Sequence, residues 1–162
     1  MDKLISLKVA LNLIIDALDS IDRLCLITFE NRAHKVAELS YMTVMEKARQ
    51  RAIVEQMKAT GGTYFEGLIK ELLNIIQKSY ESTNGRVQSS IFCTDGDSLD
   101  NINGKTQFKT QYKKLKNPNY DFSVHTFLIG GEDNSKDLMK FSDYRDGSFY
   151  FIKDLTKLKT MS

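Results

Sequence analysis

Ser90-Ile91-Phe92-Cys93-Thr94-Asp95-Gly96-Asp97 is an apolar run halted by an acidic, glycine-bearing turn. Consecutive apolar positions suit a strand covered on both faces, as in the middle of an open parallel sheet flanked by helices. In such sheets the ligand crevice lies beyond the carboxyl ends of the strands. Asp95 would therefore project its carboxylate where ligands bind, which makes it the first candidate site residue.

Strand and helix patterns alternate on either side of this stretch. Upstream, Leu4, Leu7, Leu11, Ile14, Ile15 and Leu18 recur at helical spacing over residues 3–20, and Leu24 to Phe29 reads as a buried strand ending at Glu30-Asn31. Ala33 to Leu39 alternates enough for an edge strand antiparallel to it. Helical spacing returns from Val44 to Met57 and again from Tyr64 to Tyr80. The second of these helices opens with Thr63-Tyr64-Phe65-Glu66, a capping box in which side chains satisfy free backbone donors.

Downstream, the strand Val87 to Thr94 is followed by an acidic loop from Asp95 to Gly104 and a basic helix from Gln107 to Leu115. Asn117-Pro118-Asn119 breaks that helix, and Phe122 to Ile129 forms a strand ending in Gly130-Gly131. A short helix over 136–141, a last strand over 147–152 and a terminal helical turn from Leu155 to Leu158 complete the pattern. Strands alternating with helices imply parallel pairing through right-handed crossovers. The expected class is a Rossmann-like α/β fold: a doubly wound, mostly parallel sheet with one antiparallel edge strand and helices on both faces.

At 162 residues the chain is expected to form one domain, 1–162, burying roughly 70 % of its unfolded surface without staples. Cys25 and Cys93 lie in apolar runs and read as buried, reduced thiols. A net charge of +2 with both signs interspersed gives no field that argues for nucleic acid or an acidic membrane. The apolar stretch from Leu4 to Leu18 is broken by Lys8, Asn12 and Asp16, and it lacks a basic start and a cleavage site. It is read as neither a membrane span nor a signal, and a cytoplasmic location is expected.

Asp95 at a strand end, Gly61-Gly62-Thr63 at a helix start and Val124-His125-Thr126-Phe127 leading to Gly-Gly make the chain resemble a von Willebrand factor type A domain over essentially its whole length. Residues 22–29 resemble the family's second strand, Thr94-Asp95-Gly96 its fourth-strand terminus and residues 147–152 its closing strand. The resemblance implies an adhesion-type protein-interaction module, not an enzyme, with a metal-ion-dependent adhesion site. There Mg²⁺, or Ca²⁺ or Mn²⁺, is held by three loops and completed by an acidic side chain of a protein partner.

Carried onto this sequence, Thr63 supplies a hydroxyl and Asp95 a carboxylate to the ion, with Thr60 as the fallback hydroxyl. Glu30, Asn31, Gly62, Tyr64 and Asp97 form the partner-binding rim. The first metal loop, Asp-x-Ser-x-Ser at the end of a first strand, is absent, because the helical pattern begins at once after Met1-Asp2. The expectation is a domain truncated before that strand, whose ion is weakly held or missing.

Three other features carry less. Asp97 and Asp100 lack the ligand rhythm of an EF-hand. His125 reads as a satisfied core histidine and His34 as an exposed one, while the lysines at 105, 109, 113, 114 and 116 form a basic helix without aromatic interleaving. No glycine-rich phosphate loop, His-x-x-x-His pair or Gly-x-Ser-x-Gly elbow is present. The alternatives are a Mg²⁺-dependent phosphoryl-handling or receiver-like domain and a metal-free scaffold.

Overall fold

The computed structural model describes residues 3–29, 32–59, 65–82, 86–95, 102–115, 121–130, 135–143 and 145–152. It divides into two compact units, one from residues before Thr63 and one from residues 63–153.

In the first unit, helix α1 (Lys3–Ala17) leads to the antiparallel pair β1 (Arg23–Phe29) and β2 (Ala33–Tyr41), and then to α2 (Val44–Gln56). Helical spacing runs on to Ser20, but α1 stops at Ala17 because the next residues close a turn. There the Asp19 N–H donates to the Asp22 carboxylate at 2.7 Å and the Asp22 N–H to the Asp19 carbonyl at 3.0 Å. The edge strand expected at Ala33 is present and runs two residues further than the alternation suggested. Its pairing with β1 is irregular around Leu26, and His34, Lys35 and Glu38 stand exposed along it, a charged edge that discourages pairing with other chains.

Ile15, Leu26, Ala37, Met42 and Val54 form this unit's core. Thr43 caps α2, its hydroxyl accepting the Glu46 N–H at 3.2 Å. Lys8 donates to the Glu55 carbonyl at 2.6 Å, Asn12 to the Glu55 carboxylate at 3.2 Å, and Arg51 pairs with Asp16. Rising numbers on α1 meet falling numbers on α2, so the two helices pack antiparallel.

The second unit is a parallel sheet in the order β3 (Ser89–Thr94), β4 (Ser123–Ile129), β5 (Phe149–Ile152), with helix α3 (Phe65–Ser82) before it and α4 (Ile102–Tyr112) and α5 (Ser135–Asp143) in the two crossovers. Val124, Thr126 and Leu128 point to one face of β4 and are fully buried. A cluster of phenylalanines packs this unit's core. The ring of Phe108 on α4 lies 4.9 Å from Phe65, 6.2 Å from Phe92 and 5.0 Å from Phe141 on α5, while Phe92 meets Phe141 edge-on at 5.3 Å.

The chain shows the expected α/β class, with an antiparallel pair in one unit and a three-stranded parallel sheet in the other. The boundaries shift for local reasons. β3 begins at Ser89 because Val87 is 93 % exposed. Helix α4 reaches back to Ile102, inside the stretch read as loop, and tightens into a 3₁₀ turn over Lys113–Leu115. β5 begins at Phe149 because Gly147 is held against β4 before the strand starts. Thr63 of the capping box, Asn117-Pro118-Asn119 and the terminal turn at Leu155 lie outside the described residues.

Candidate functional site

At the carboxyl edge of the parallel sheet, Thr94 ends β3 in register with Leu128, and Ile129 near the end of β4 pairs with Ile152 of β5. Asp95 follows directly and is half-buried. Gly130 leaves β4 with φ 106°, a left-handed conformation that strains any side chain, while its N–H donates to the Ile152 carbonyl at 3.2 Å. This glycine turns the chain off the edge beside β5. The sequence reading took it only as a strand terminator.

Cys93 lies near the end of β3, two residues before Asp95. Burial of its thiol pushes the pKa up to about 12, so the sulfur stays protonated at neutral pH and is a poor nucleophile. Neither Cys25 nor Cys93 forms a disulfide, as expected, and each residue as a whole is half-buried.

Of the residues assigned to the metal site and its rim, Asp95 is the one the structure describes. Thr63, the fallback Thr60, Gly62, Tyr64, Glu30, Asn31 and Asp97 lie outside the described residues. Among the described residues no group of three or more His, Cys, Asp or Glu side chains converges to hold a metal ion. One half-buried carboxylate does not make a cage, so an ion at this edge would depend on Asp95 together with donors beyond the described set and water.

The opposite, amino edge of the same sheet carries a polar chain that the sequence reading missed. Ser89 and Ser123, paired across β3 and β4, have hydroxyls 2.9 Å apart, and the Ser123 hydroxyl lies 3.1 Å from Nε2 of His125. The Ser148 N–H donates to Nδ1 of His125 at 3.1 Å. Because Nδ1 accepts, the neutral ring carries its proton on Nε2, which donates to Ser123. Such a ring cannot take the serine's proton, so this serine and histidine are not poised as nucleophile and base. His125 is thus the satisfied histidine the sequence suggested, though half-buried; alternation of Ser123 and His125 on one strand face was the available clue.

Among the described residues, no helix is long and apolar enough to cross a membrane.

The family model described as von Willebrand factor type A domain matches residues 2–162. No curated protein matches the sequence. Among solved structures, the von Willebrand factor type A protein from Catenulispora acidiphila superposes with a TM-score of 0.78 at 19 % identity, over 98 % of this chain and 36 % of that one. The chain therefore spans about a third of that relative's length. Proximal thread matrix protein 1 from the mussel byssus, with a zinc-occupied MIDAS motif, gives 0.69 at 15 % identity over 99 % of this chain and 41 % of its own. The manganese-loaded TRAP protein of Plasmodium vivax gives 0.61 at 18 % identity over 96 % and 63 %. At these identities the likeness shows a shared fold.

Proposed function

The chain belongs to the von Willebrand factor type A family, and from that membership we propose that it is a non-catalytic protein-binding module that meets its partner at the carboxyl edge of the sheet. The observation that carries this reading is Asp95, a half-buried carboxylate standing directly after β3 at that edge. Its place directly after a parallel strand is where ligands meet such sheets.

In this reading Asp95 and the Thr63 hydroxyl hold a divalent ion, Mg²⁺ or else Ca²⁺ or Mn²⁺, and Glu30, Asn31, Gly62, Tyr64 and Asp97 rim the contact. The partner offers an acidic side chain. Metal-loaded structures of two proteins of the same fold, one with zinc and one with manganese, support the ion. Mg²⁺ keeps several waters in its shell, so few protein ligands suffice at low affinity.

Titration calorimetry with Mn²⁺ tests it. Heat of binding is expected for the protein and should vanish in Asp95→Ala with the fold intact. The same heat in both would remove Asp95 from the site.

A further inference from the structure

A strip of lysines runs along the seam between α4 and α5, away from the edge discussed above. Lys105, Lys109 and Lys113 follow one another at four-residue spacing on α4 and its 3₁₀ extension, and so share a face. Lys136 and Lys140 share a face of α5 in the same way. Lys109 bridges the seam, its Nζ 3.3 Å from the carboxylate of Asp137, while Asp143 closes α5 three residues beyond Lys140. Lys113, Lys114, Lys136 and Lys140 are exposed, and among the described residues none of them has a carboxylate within ion-pair distance. The whole protein carries a net charge of only +2, so this seam concentrates positive charge that is balanced elsewhere.

We propose that the α4–α5 seam docks an acidic protein segment. Charge complementarity sets the sign of the occupant, and the makeup of the seam sets its class. Lysine ammoniums are point charges without the planar fork that grips phosphates in pairs, and the seam has no arginine. The described rings of these helices, Phe108 and Phe141, are buried in the core and offer bases no stacking platform. Met139, 47 % exposed and three residues after Lys136 on α5, offers a single flexible apolar contact. That suits an acidic peptide with an occasional leucine and is too little apolar surface to seat a helix pair in a bilayer.

The probes are a fluorescein-labelled peptide of repeated Glu-Glu-Leu-Glu units, the same peptide with Ser for Leu, a labelled single-stranded oligonucleotide and phosphatidylserine vesicles. Anisotropy and vesicle sedimentation at low salt give the affinities. The Leu peptide should bind, weaken as salt rises, and lose about tenfold or more in affinity when Lys105→Glu, Lys113→Glu and Lys136→Glu are combined. Met139→Ser should weaken the Leu peptide alone. Lys105→Gln, Lys113→Gln and Lys136→Gln together give a milder form of the same loss, which guards against misfolding in the reversal variant. Asp95→Ala should bind the peptide unchanged, so the seam and the sheet edge fail or stand separately. Equal affinity in the charge-reversed protein with native circular dichroism overturns the proposal. So does binding of oligonucleotide or vesicles without binding of peptide.

Discussion

Gly147 stands against Val124 so closely that a Cβ at position 147 would collide with the Val124 carbonyl. The contact is locked by hydrogen bonds on both sides, the Gly147 N–H donating to the Ser142 carbonyl at 3.0 Å and the Val124 N–H to the Arg145 carbonyl at 3.3 Å. The obstacle is backbone, which cannot swing aside as a side chain can. Gly147→Ala must push β5 away from β4 or distort the turn, and a loss of about 1–3 kcal/mol or more is expected. Urea denaturation checks it, through a lowered midpoint with an unchanged slope.

The thiol of Cys93 gives a second prediction. With its pKa raised from 9.0 to about 12, the folded protein at pH 8 holds roughly a thousandfold less thiolate at this site than an unfolded chain. In a Cys25→Ser background, iodoacetamide should label the native protein slowly and the urea-unfolded protein fast. The sign for stability follows from the same shift. Between the two pKa values the unfolded chain has lost this proton and the folded one has kept it, so stability is full below about pH 9 and falls as pH rises toward 12. Cys93→Ala should flatten that alkaline decline. Equal labelling rates in native and unfolded protein would contradict the enclosure of the sulfur.

Much of this architecture was legible because its elements are decided locally. The apolar run at 90–94 identified β3 and the alternation after Ala33 an antiparallel edge strand, but the cover on both faces that the run implied is incomplete, since Phe92 is buried while Ile91 is 42 % exposed. What stayed illegible depends on contacts distant in sequence. Nothing in Gly147-Ser148 announces that the Val124 carbonyl lies against it, so the strand was read two residues long. Nor does a lone His125 reveal that a backbone N–H from Ser148 fixes its tautomer. At the candidate site, Asp95 was legible from the strand it ends. Gly130 beside it was legible as a glycine but not as the residue whose left-handed backbone bends β4 off the edge.

A third prediction concerns the start of α2. Glu46 accepts two hydrogen bonds from Arg49, at 2.9 and 2.7 Å, and one from the buried Gln50 at 3.0 Å. Arg49 first and Gln50 second hold its carboxyl below the usual range. The contribution is therefore complete at and above the ordinary carboxylate range and is lost as pH falls through the lowered folded value. Glu46→Gln keeps the shape, removes the titration, and should reduce the acid-side slope of unfolding free energy against pH. An unchanged slope would mean the pair is formed equally in the unfolded chain.

The histidine at the amino edge supplies the last prediction. Since Nδ1 of His125 accepts from the Ser148 N–H at 3.1 Å and Nε2 faces the Ser123 hydroxyl at 3.1 Å, nitrogen-15 spectra should show a protonated Nε2 and a bare Nδ1 at neutral pH. His125→Ala removes this partner from the exposed Ser148 N–H and the Ser123 hydroxyl and should cost about 0.5–1.5 kcal/mol in denaturant unfolding. The same tautomer makes a chemical forecast. An imidazole that donates to serine cannot activate it, so a fluorophosphonate probe should leave Ser123 unmodified in the folded protein. Stoichiometric labelling of Ser123 would show the ring turning over to present a bare Nε2, and with it a catalytic role that the hydrogen bond from Ser148 now opposes.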